Sequence, residues 1–214
     1  MANAEDGATY LDKVRAERNQ EQSSPEPSTG LRFTLASDLK LTAPDWLIRG
    51  YLERGSLALM FGAPSSGKSF AALDMAASIA SGSDWNESET KPGPVLYLAG
   101  EGIEGITRRL TAWSIRNGIE RESLNMAVSN GPGRLCDIDG AIELGEAVDA
   151  FAEAVEAPRL LVVDTLARSF GSGDESSNTD MSAAITALDR IKAKHGCAVL
   201  LVHHSGHNAQ DRAR

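Results

Sequence analysis

The residues from Gly62 to Ser69 have the types and the spacing of a phosphate-binding loop. They read Gly62-Ala63-Pro64-Ser65-Ser66-Gly67-Lys68-Ser69. The two glycines allow a tight turn whose backbone N–H groups face inward, and Lys68 can reach the β- and γ-phosphates of a nucleotide. The Ser69 hydroxyl can complete the ligands of a Mg²⁺ ion held mainly by phosphate oxygens and water. The alternative is an ordinary glycine turn that precedes a helix.

The segments on both sides of this loop match the context that a phosphate-binding loop requires. The apolar run 57–61 predicts a buried strand, and the alanine-rich stretch 70–80 predicts a helix that begins at Phe70. The free N–H groups and the positive dipole end of such a helix favour an anion. We therefore predict that ATP is bound, together with Mg²⁺, by Gly62, Ala63, Pro64, Ser65, Ser66, Gly67, Lys68, Ser69 and Phe70.

Three other apolar runs end in side chains that suit phosphoryl transfer. Glu101 follows the run 95–99, Asp164 follows 160–163, and His203-His204 follow 198–202. We predict that Asp164 orients Mg²⁺ and that Glu101 aligns and deprotonates the attacking water. An imidazole at the end of the last strand could donate a hydrogen bond to the γ-phosphate and act as a sensor. The alternatives are a strand-end cap for Asp164 and a solvated loop residue for Glu101.

The elements that must position these residues alternate between strand and helix. Fully apolar runs predict strands covered on both faces, and apolar residues at intervals of three and four predict helices that pack by one side. The sequence therefore predicts an α/β fold, with parallel strands joined by crossover helices on both faces of the sheet. Ligands of such sheets bind beyond the carboxyl ends of the strands. The helical positions are Ile103, Ile106, Leu110 and Trp113; Leu144, Val148, Phe151 and Val155; and Met181, Ile185, Leu188 and Ile191.

Histidines near the end of the sequence also permit a metal-site hypothesis. His203, His204, His207 and Asp211 are all residue types that bind zinc. Neighbouring residues of a strand point to opposite faces, so His203 and His204 are poorly placed to share one ion. No thiol accompanies them, and we favour the phosphate sensor over the metal site.

Composition limits the class of protein. The chain has 214 residues, 42% of them hydrophobic, which suits one domain. We predict a disordered polar leader over residues 1–30 and an ATPase domain over residues 31–214. Two cysteines, no signal sequence and no spanning apolar run predict a cytoplasmic protein without membrane contact. The net charge of −9 means that any contact with DNA must be local.

In their order along the chain, these motifs resemble those of the RecA-like hexameric ATPases. The resemblance is closest to the plasmid- and phage-encoded replicative helicases typified by plasmid RepA proteins, and it extends over residues 44–214. The segments that carry it are Trp46-Leu47-Ile48, the loop Gly62 to Ser69, Gly93 to Glu101, Leu161 to Arg168 and Val202-His203-His204.

The resemblance implies a P-loop ATPase of RecA-like type that forms a homo-hexamer and is stimulated by single-stranded DNA. It also implies that Glu101 and Lys68 are catalytic, that Asp164 serves Mg²⁺ and that His204 senses the γ-phosphate. An arginine finger from a neighbouring subunit would correspond to Arg214 or Arg212.

Members of this family continue with further strands, whereas this sequence ends at Arg214, so we expect the C-terminal strands of the domain to be missing.

Two functional hypotheses remain open. The first, which follows from the resemblance, is a ring-shaped helicase motor on single-stranded DNA. The second is a nucleotide-dependent switch that recruits a protein partner without unwinding DNA. In the switch, ATP would order the loops 165–178 and 205–214.

Overall fold

The structure is a computed structural model that describes residues 33–100 and 102–204. The described residues belong to two units, 33–43 and 44–204. The described part of the first unit contains a short 3₁₀ helix, Ala36–Asp38. The strands and helices discussed below belong to the second unit.

Seven strands and four α-helices are found in the described part of the chain. The strands are β1 (Trp46–Ile48), β2 (Leu52–Glu53), β3 (Leu57–Gly62), β4 (Val95–Ala99), β5 (Met126–Val128), β6 (Leu160–Asp164) and β7 (Ala198–His204). The helices are α1 (Lys68–Ser81), α2 (Ile103–Asn117), α3 (Ile138–Ala154) and α4 (Asn178–His195). Two further 3₁₀ turns lie at Arg121–Ser123 and Ala167–Ser169.

Five strands form one parallel sheet in the order β3-β7-β6-β4-β5. Helices α1 and α2 share a hydrophobic core with one face of this sheet, and α3 and α4 share a second core with the other face. This arrangement confirms the predicted α/β class, with a parallel sheet and helices on both faces.

Strand β6 shows why the strands of this sheet are continuously apolar. All five of its residues are buried. Leu160 and Val162 pack in the core that contains α1 and α2, whereas Leu161 and Val163 pack in the core that contains α3 and α4. Since successive side chains point to opposite faces, both faces of a central strand must be apolar.

The edge strand β3 is covered on one face only. Ala58 and Met60 pack against the core of α1 and α2. Leu57, Leu59 and Phe61 point to the opposite face and are exposed, Phe61 by 69%. Helices α3 and α4 therefore do not cover β3 on their side of the sheet.

Most predicted elements are present, with shifted ends. The helix predicted from Phe70 begins at Lys68, and the last strand, predicted to end at residue 202, includes both histidines and ends at His204. Strands β1 and β2 form an antiparallel pair in a stretch that sequence patterns did not assign to strands. Among the described residues, no helix has the length and apolar character needed to cross a membrane.

Asp74 on α1 connects three segments of the first core. Its two carboxylate oxygens accept hydrogen bonds from the indole N–H groups of Trp85 (2.8 Å) and Trp113 (2.7 Å). Trp85 lies in the loop after α1, and Trp113 is a buried residue of α2. A single carboxylate therefore fixes the distance between α1 and α2.

We expect Asp74→Ala to lower the free energy of unfolding by about 3 kcal/mol, because hydrogen bonds to a charged group contribute roughly 1.5–3 kcal/mol each. Asp74→Asn should lose about half as much, since the amide keeps one acceptor. Urea denaturation followed by circular dichroism measures both effects. The exposed Asp84→Ala is the matched control and should change stability by less than about 0.5 kcal/mol. Equal stability of Asp74→Ala and wild type would show that the two indole contacts do not support the fold.

Candidate functional site

The predicted site residues of the described chain converge at the carboxyl edge of the parallel sheet. Strand β3 ends at Gly62, β7 at His204, β6 at Asp164 and β4 at Ala99. These four strands are neighbours in the sheet, and the register pairs Gly62 with His204 and Ala99 with Asp164. The strand order therefore brings residues together that are far apart in the sequence.

The loop between β3 and α1 has the backbone of a compact turn that leads directly into a helix. Gly67 has φ +88° and Ser65 has φ +61°, both in the left-handed region, which glycine adopts without strain. A Cβ on Gly62 would lie 3.3 Å from the Ser66 hydroxyl oxygen. In the first turn of α1, the Ala71 amide donates to the Gly67 carbonyl (3.0 Å). The N–H groups of the residues before Ala71 lie at the N-terminus of the helix and can donate to an anion.

Lys68 holds its ammonium group against the start of this loop. Its Nζ donates to the carbonyl oxygens of Gly62 (2.9 Å) and Ala63 (2.8 Å), and the residue is only 8% exposed. An ammonium group has three N–H donors, so two bonds to the loop leave one for a ligand. The fit with a phosphate is good, because a fixed cation and a row of helix N–H groups face the same small region.

Asp164 is the centre of a short chain of hydrogen bonds. Its Oδ1 accepts from the Ser69 hydroxyl (2.9 Å), and its Oδ2 accepts from the Tyr97 hydroxyl (2.5 Å). Asp164 is 4% exposed and Tyr97 is 1% exposed. A buried carboxylate beside a hydroxyl is an oxygen donor set that suits Mg²⁺, so the residues present fit that ion.

The two histidines of β7 occupy different faces of the sheet. His204 lies on the face of α1, as Val202 and Asp164 do, and pairs with Gly62. His203 lies on the opposite face, where its Nδ1 is 3.9 Å from Glu175. The Nδ1 atom of each is buried and makes no hydrogen bond to the described part of the protein. His204 is therefore the histidine that shares a face with the loop.

Phe70 and Gly100 mark the borders of the site. The Phe70 ring is 62% exposed, with the Arg109 guanidinium 4.9 Å from its centroid. The Gly100 amide donates to the Asp164 carbonyl (2.6 Å), and a Cβ there would lie 2.5 Å from that of Arg168. Three predicted site residues, Glu101, Arg212 and Arg214, lie outside the described residues, as do His207 and Asp211.

Tyr97 is the residue of this site that the sequence analysis missed. It was assigned only to an apolar strand, because a tyrosine among aliphatic residues is usual in a core. The available signal was its position two residues before Ala99, which places both on one face of β4. That signal becomes useful only once β4 is known to be the neighbour of β6.

Two comparisons relate this chain to known proteins. A family model described as an AAA domain matches residues 22–210. The crystal structure of a KaiC-like protein from the hyperthermophilic archaeon Pyrococcus horikoshii matches with 16% sequence identity and a TM-score of 0.46. That match covers 74% of this chain and spans 65% of the length of the archaeal protein.

We expect Tyr97→Phe to keep the ring packing but to leave Asp164 Oδ2 without its hydroxyl donor. The free energy of unfolding, measured in urea without metal or nucleotide, should fall by about 1–3 kcal/mol. The Mg²⁺ concentration that gives half-maximal ATP binding should rise, because the carboxylate can now rotate away from Ser69. Tyr51→Phe is the matched control, since Tyr51 is 61% exposed, and it should change neither quantity. A Tyr97→Phe protein with wild-type stability and Mg²⁺ dependence would remove Tyr97 from the site.

Proposed function

Since this chain belongs to the AAA domain family, whose model matches residues 22–210, we propose that it binds and hydrolyses ATP with the help of Mg²⁺. We further propose that it works as a ring-shaped motor on single-stranded DNA, of the plasmid and phage replicative helicase type. The observation that carries the first proposal is the 2.9 Å hydrogen bond between Ser69 and Asp164. It joins the phosphate-binding loop to the acidic end of a second strand.

The nucleotide phosphates would bind in the loop from Gly62 to Ser69. Lys68 supplies a fixed positive charge, and the N-terminal N–H groups of α1 supply further donors. Phe70 follows the loop and exposes its ring beside Arg109, where it can border the rest of the nucleotide. The described residues therefore supply the phosphate-binding part of the site.

The Mg²⁺ ion would be held by Ser69 and Asp164. When bound there, it would offset the charge of the phosphate oxygens. Tyr97 holds one oxygen of the Asp164 carboxylate, so that the other oxygen stays directed at Ser69. Positioning of this kind limits the number of carboxylate orientations and lowers the entropy lost on binding.

Activation of water is assigned to Glu101. Gly100, the residue before it, is bonded through its amide to the carbonyl of Asp164, and Ala99 pairs with Asp164 in the sheet. The chain therefore leaves the sheet at Gly100, next to the proposed metal site, and Glu101 is the next residue in the sequence. A carboxylate that is not a metal ligand can align the water and accept its proton.

The helicase part of the proposal concerns His204 and the loops beyond the strands. His204 shares a face with the phosphate loop and has a buried Nδ1 that no described residue satisfies, which suits a group that responds to the γ-phosphate. A γ-phosphate sensor would move with the state of the nucleotide and pass that movement to residues 205–214. Assembly into a homo-hexamer and an arginine finger at Arg212 or Arg214 complete this proposal.

One observation favours the alternative function, a nucleotide-dependent switch that recruits a protein. The segment after Asp164 contains Asp174 and Glu175, with Arg168 as its basic residue. Asp174 accepts hydrogen bonds from Ser176, which keeps its pKa below the usual value, so this part of the segment stays negatively charged. An acidic loop at the edge of the sheet repels the DNA backbone and suits a protein partner instead.

We expect Glu101→Gln to leave ATP affinity within about twofold of wild type and to lower turnover by about 10²-fold or more, because the amide cannot accept a proton. Binding of a fluorescent ATP analogue and release of phosphate measure the two effects separately. Lys68→Ala is the control for a protein that no longer binds ATP, because this substitution removes the cation from the phosphate-binding loop. Wild-type turnover in Glu101→Gln would mean that another residue is the base.

We expect single-stranded DNA to stimulate hydrolysis by the wild-type chain, and we expect His204→Ala to lose most of that stimulation while keeping its ATP affinity. His203→Ala is the matched control, because the neighbouring imidazole lies on the other face of the sheet. Steady-state phosphate release with and without a DNA oligonucleotide measures the response. Hydrolysis that proceeds at one rate with and without DNA favours the switch. A loss of stimulation in His203→Ala alone would show that the sensor is His203 and not His204.

A further inference from the structure

Helix α2 presents a basic surface in a protein with a net charge of −9. It carries Arg108, Arg109 and Arg116 with a single acidic residue, Glu104. The three arginines line a groove of about 590 Å³ between α1 and α2, together with Phe70 and other residues of the two helices. The groove opens beside the residue that follows the phosphate-binding loop.

Two of these arginines are not engaged within the described chain. Arg108 and Arg116 are exposed, and neither forms an ion pair or hydrogen bond with another described residue. They are eight residues apart, which is about 12 Å along one side of a helix. Ile115 lies beside Arg116 and is 78% exposed. The outer side of α2 therefore combines two separated positive charges with an exposed apolar side chain.

Helix α3 has the opposite character. It contains five acidic residues and no lysine, arginine or histidine. Glu143 pairs with Arg134, and Asp149 pairs with Lys194 and His195. The other three acidic residues, Asp139, Glu146 and Glu153, are exposed and form no ion pair with any residue in the described ranges.

The acidic residues near the start of α3 also affect the pKa of a neighbouring arginine, Arg134. Glu143, followed by Asp137 and Asp139, raises the pKa of Arg134 above its usual value. Ile138 and Ile142 lie on the same exposed side and are 80% and 53% exposed. Asp139 and Glu146 are seven residues apart, or about 10.5 Å along the helix. The surface of α3 therefore matches that of α2 in spacing and apolar content, with charges of the other sign.

These two surfaces cannot meet within one molecule, because α2 and α3 lie on opposite faces of the sheet. We propose that copies of this chain associate head to tail, with the exposed side of α2 of one copy against the exposed side of α3 of the next. This inference deepens the ring motor and rests on that proposed function, for which it names the subunit contact.

When two copies join through two different surfaces, the pair still has one free surface of each kind. Further copies can therefore add in the same way until a ring closes. A second copy is a better occupant of the α2 surface than nucleic acid, because a broadly acidic chain repels a phosphate backbone. Charge pairs at the rim of such a contact would guide association and set its register more than they would add affinity. The contact would also place the second copy beside Phe70 and the nucleotide, which would link assembly to hydrolysis.

The test uses two charge-reversed variants of the full chain, Arg108→Glu with Arg116→Glu, and Asp139→Lys with Glu146→Lys. Sedimentation velocity with Mg²⁺ and a non-hydrolysable ATP analogue measures assembly. We expect wild type to form species larger than a dimer and each variant to associate at least about tenfold more weakly. An equimolar mixture should recover assembly, because unlike variants bring surfaces of opposite charge together at both contacts: wild-type α2 against wild-type α3, and reversed α2 against reversed α3. A chain with all four reversals should recover assembly.

The matched control is Arg49→Glu with Asp84→Lys, which changes two exposed charges away from both surfaces and should assemble as wild type does. Circular dichroism checks that every variant is folded. Monomeric wild type, or reversed variants that assemble as wild type does, would overturn the inference, and so would variants of α2 that lose only DNA binding. Phosphate release is measured on the same samples. Assembly in the expected pattern without hydrolysis would reject the proposed function and leave the contact standing.

Discussion

The site depends on one buried carboxylate, Asp164, that is held from two directions. Ser69 donates to it from the first turn of α1, and Tyr97 donates to it from the neighbouring strand β4. Because Asp164 is 4% exposed, each of these bonds replaces water that the carboxylate would otherwise need. The position of the helix that follows the phosphate-binding loop is therefore fixed relative to the sheet by the same group that would orient Mg²⁺.

This arrangement requires a particular strand order. In the strand order β3-β7-β6-β4, the strand with the histidines, β7, lies between β3, which leads into the loop, and β6, which ends at Asp164. Strand β4 lies on the other side of β6. Asp164 can thus reach Ser69 across β7 and Tyr97 on β4 at the same time. Parallel strands place all their carboxyl ends at one edge, so every crossover helix returns the chain to the start of the next strand and leaves this edge open for a ligand.

The elements and the loop could be predicted from the sequence because their signals are local: apolar runs for strands, intervals of three and four for helices, and a glycine-rich loop between the two. Contacts across the fold could not be predicted in this way. The bond from Tyr97 to Asp164 joins residues 67 positions apart, and the bond from Trp113 to Asp74 joins residues 39 positions apart. Both depend on which strand or helix is the neighbour, and periodicity contains no information about neighbours. The pair β1–β2 was missed because strands of two or three residues are too short to show a period.

The distribution of charge places a physical limit on function that the site alone does not. Any nucleotide site needs cations near the phosphates, and Lys68 supplies one from within the loop. In phosphoryl transfer an additional arginine is worth roughly 10³–10⁵ in rate, so a second cation at the right distance decides whether hydrolysis is fast. The basic side of α2 and the acidic side of α3 face away from each other within one chain. In the proposed head-to-tail contact these two surfaces would meet between neighbouring copies. The rate of the proposed hydrolysis would then depend on the assembly as much as on the single chain.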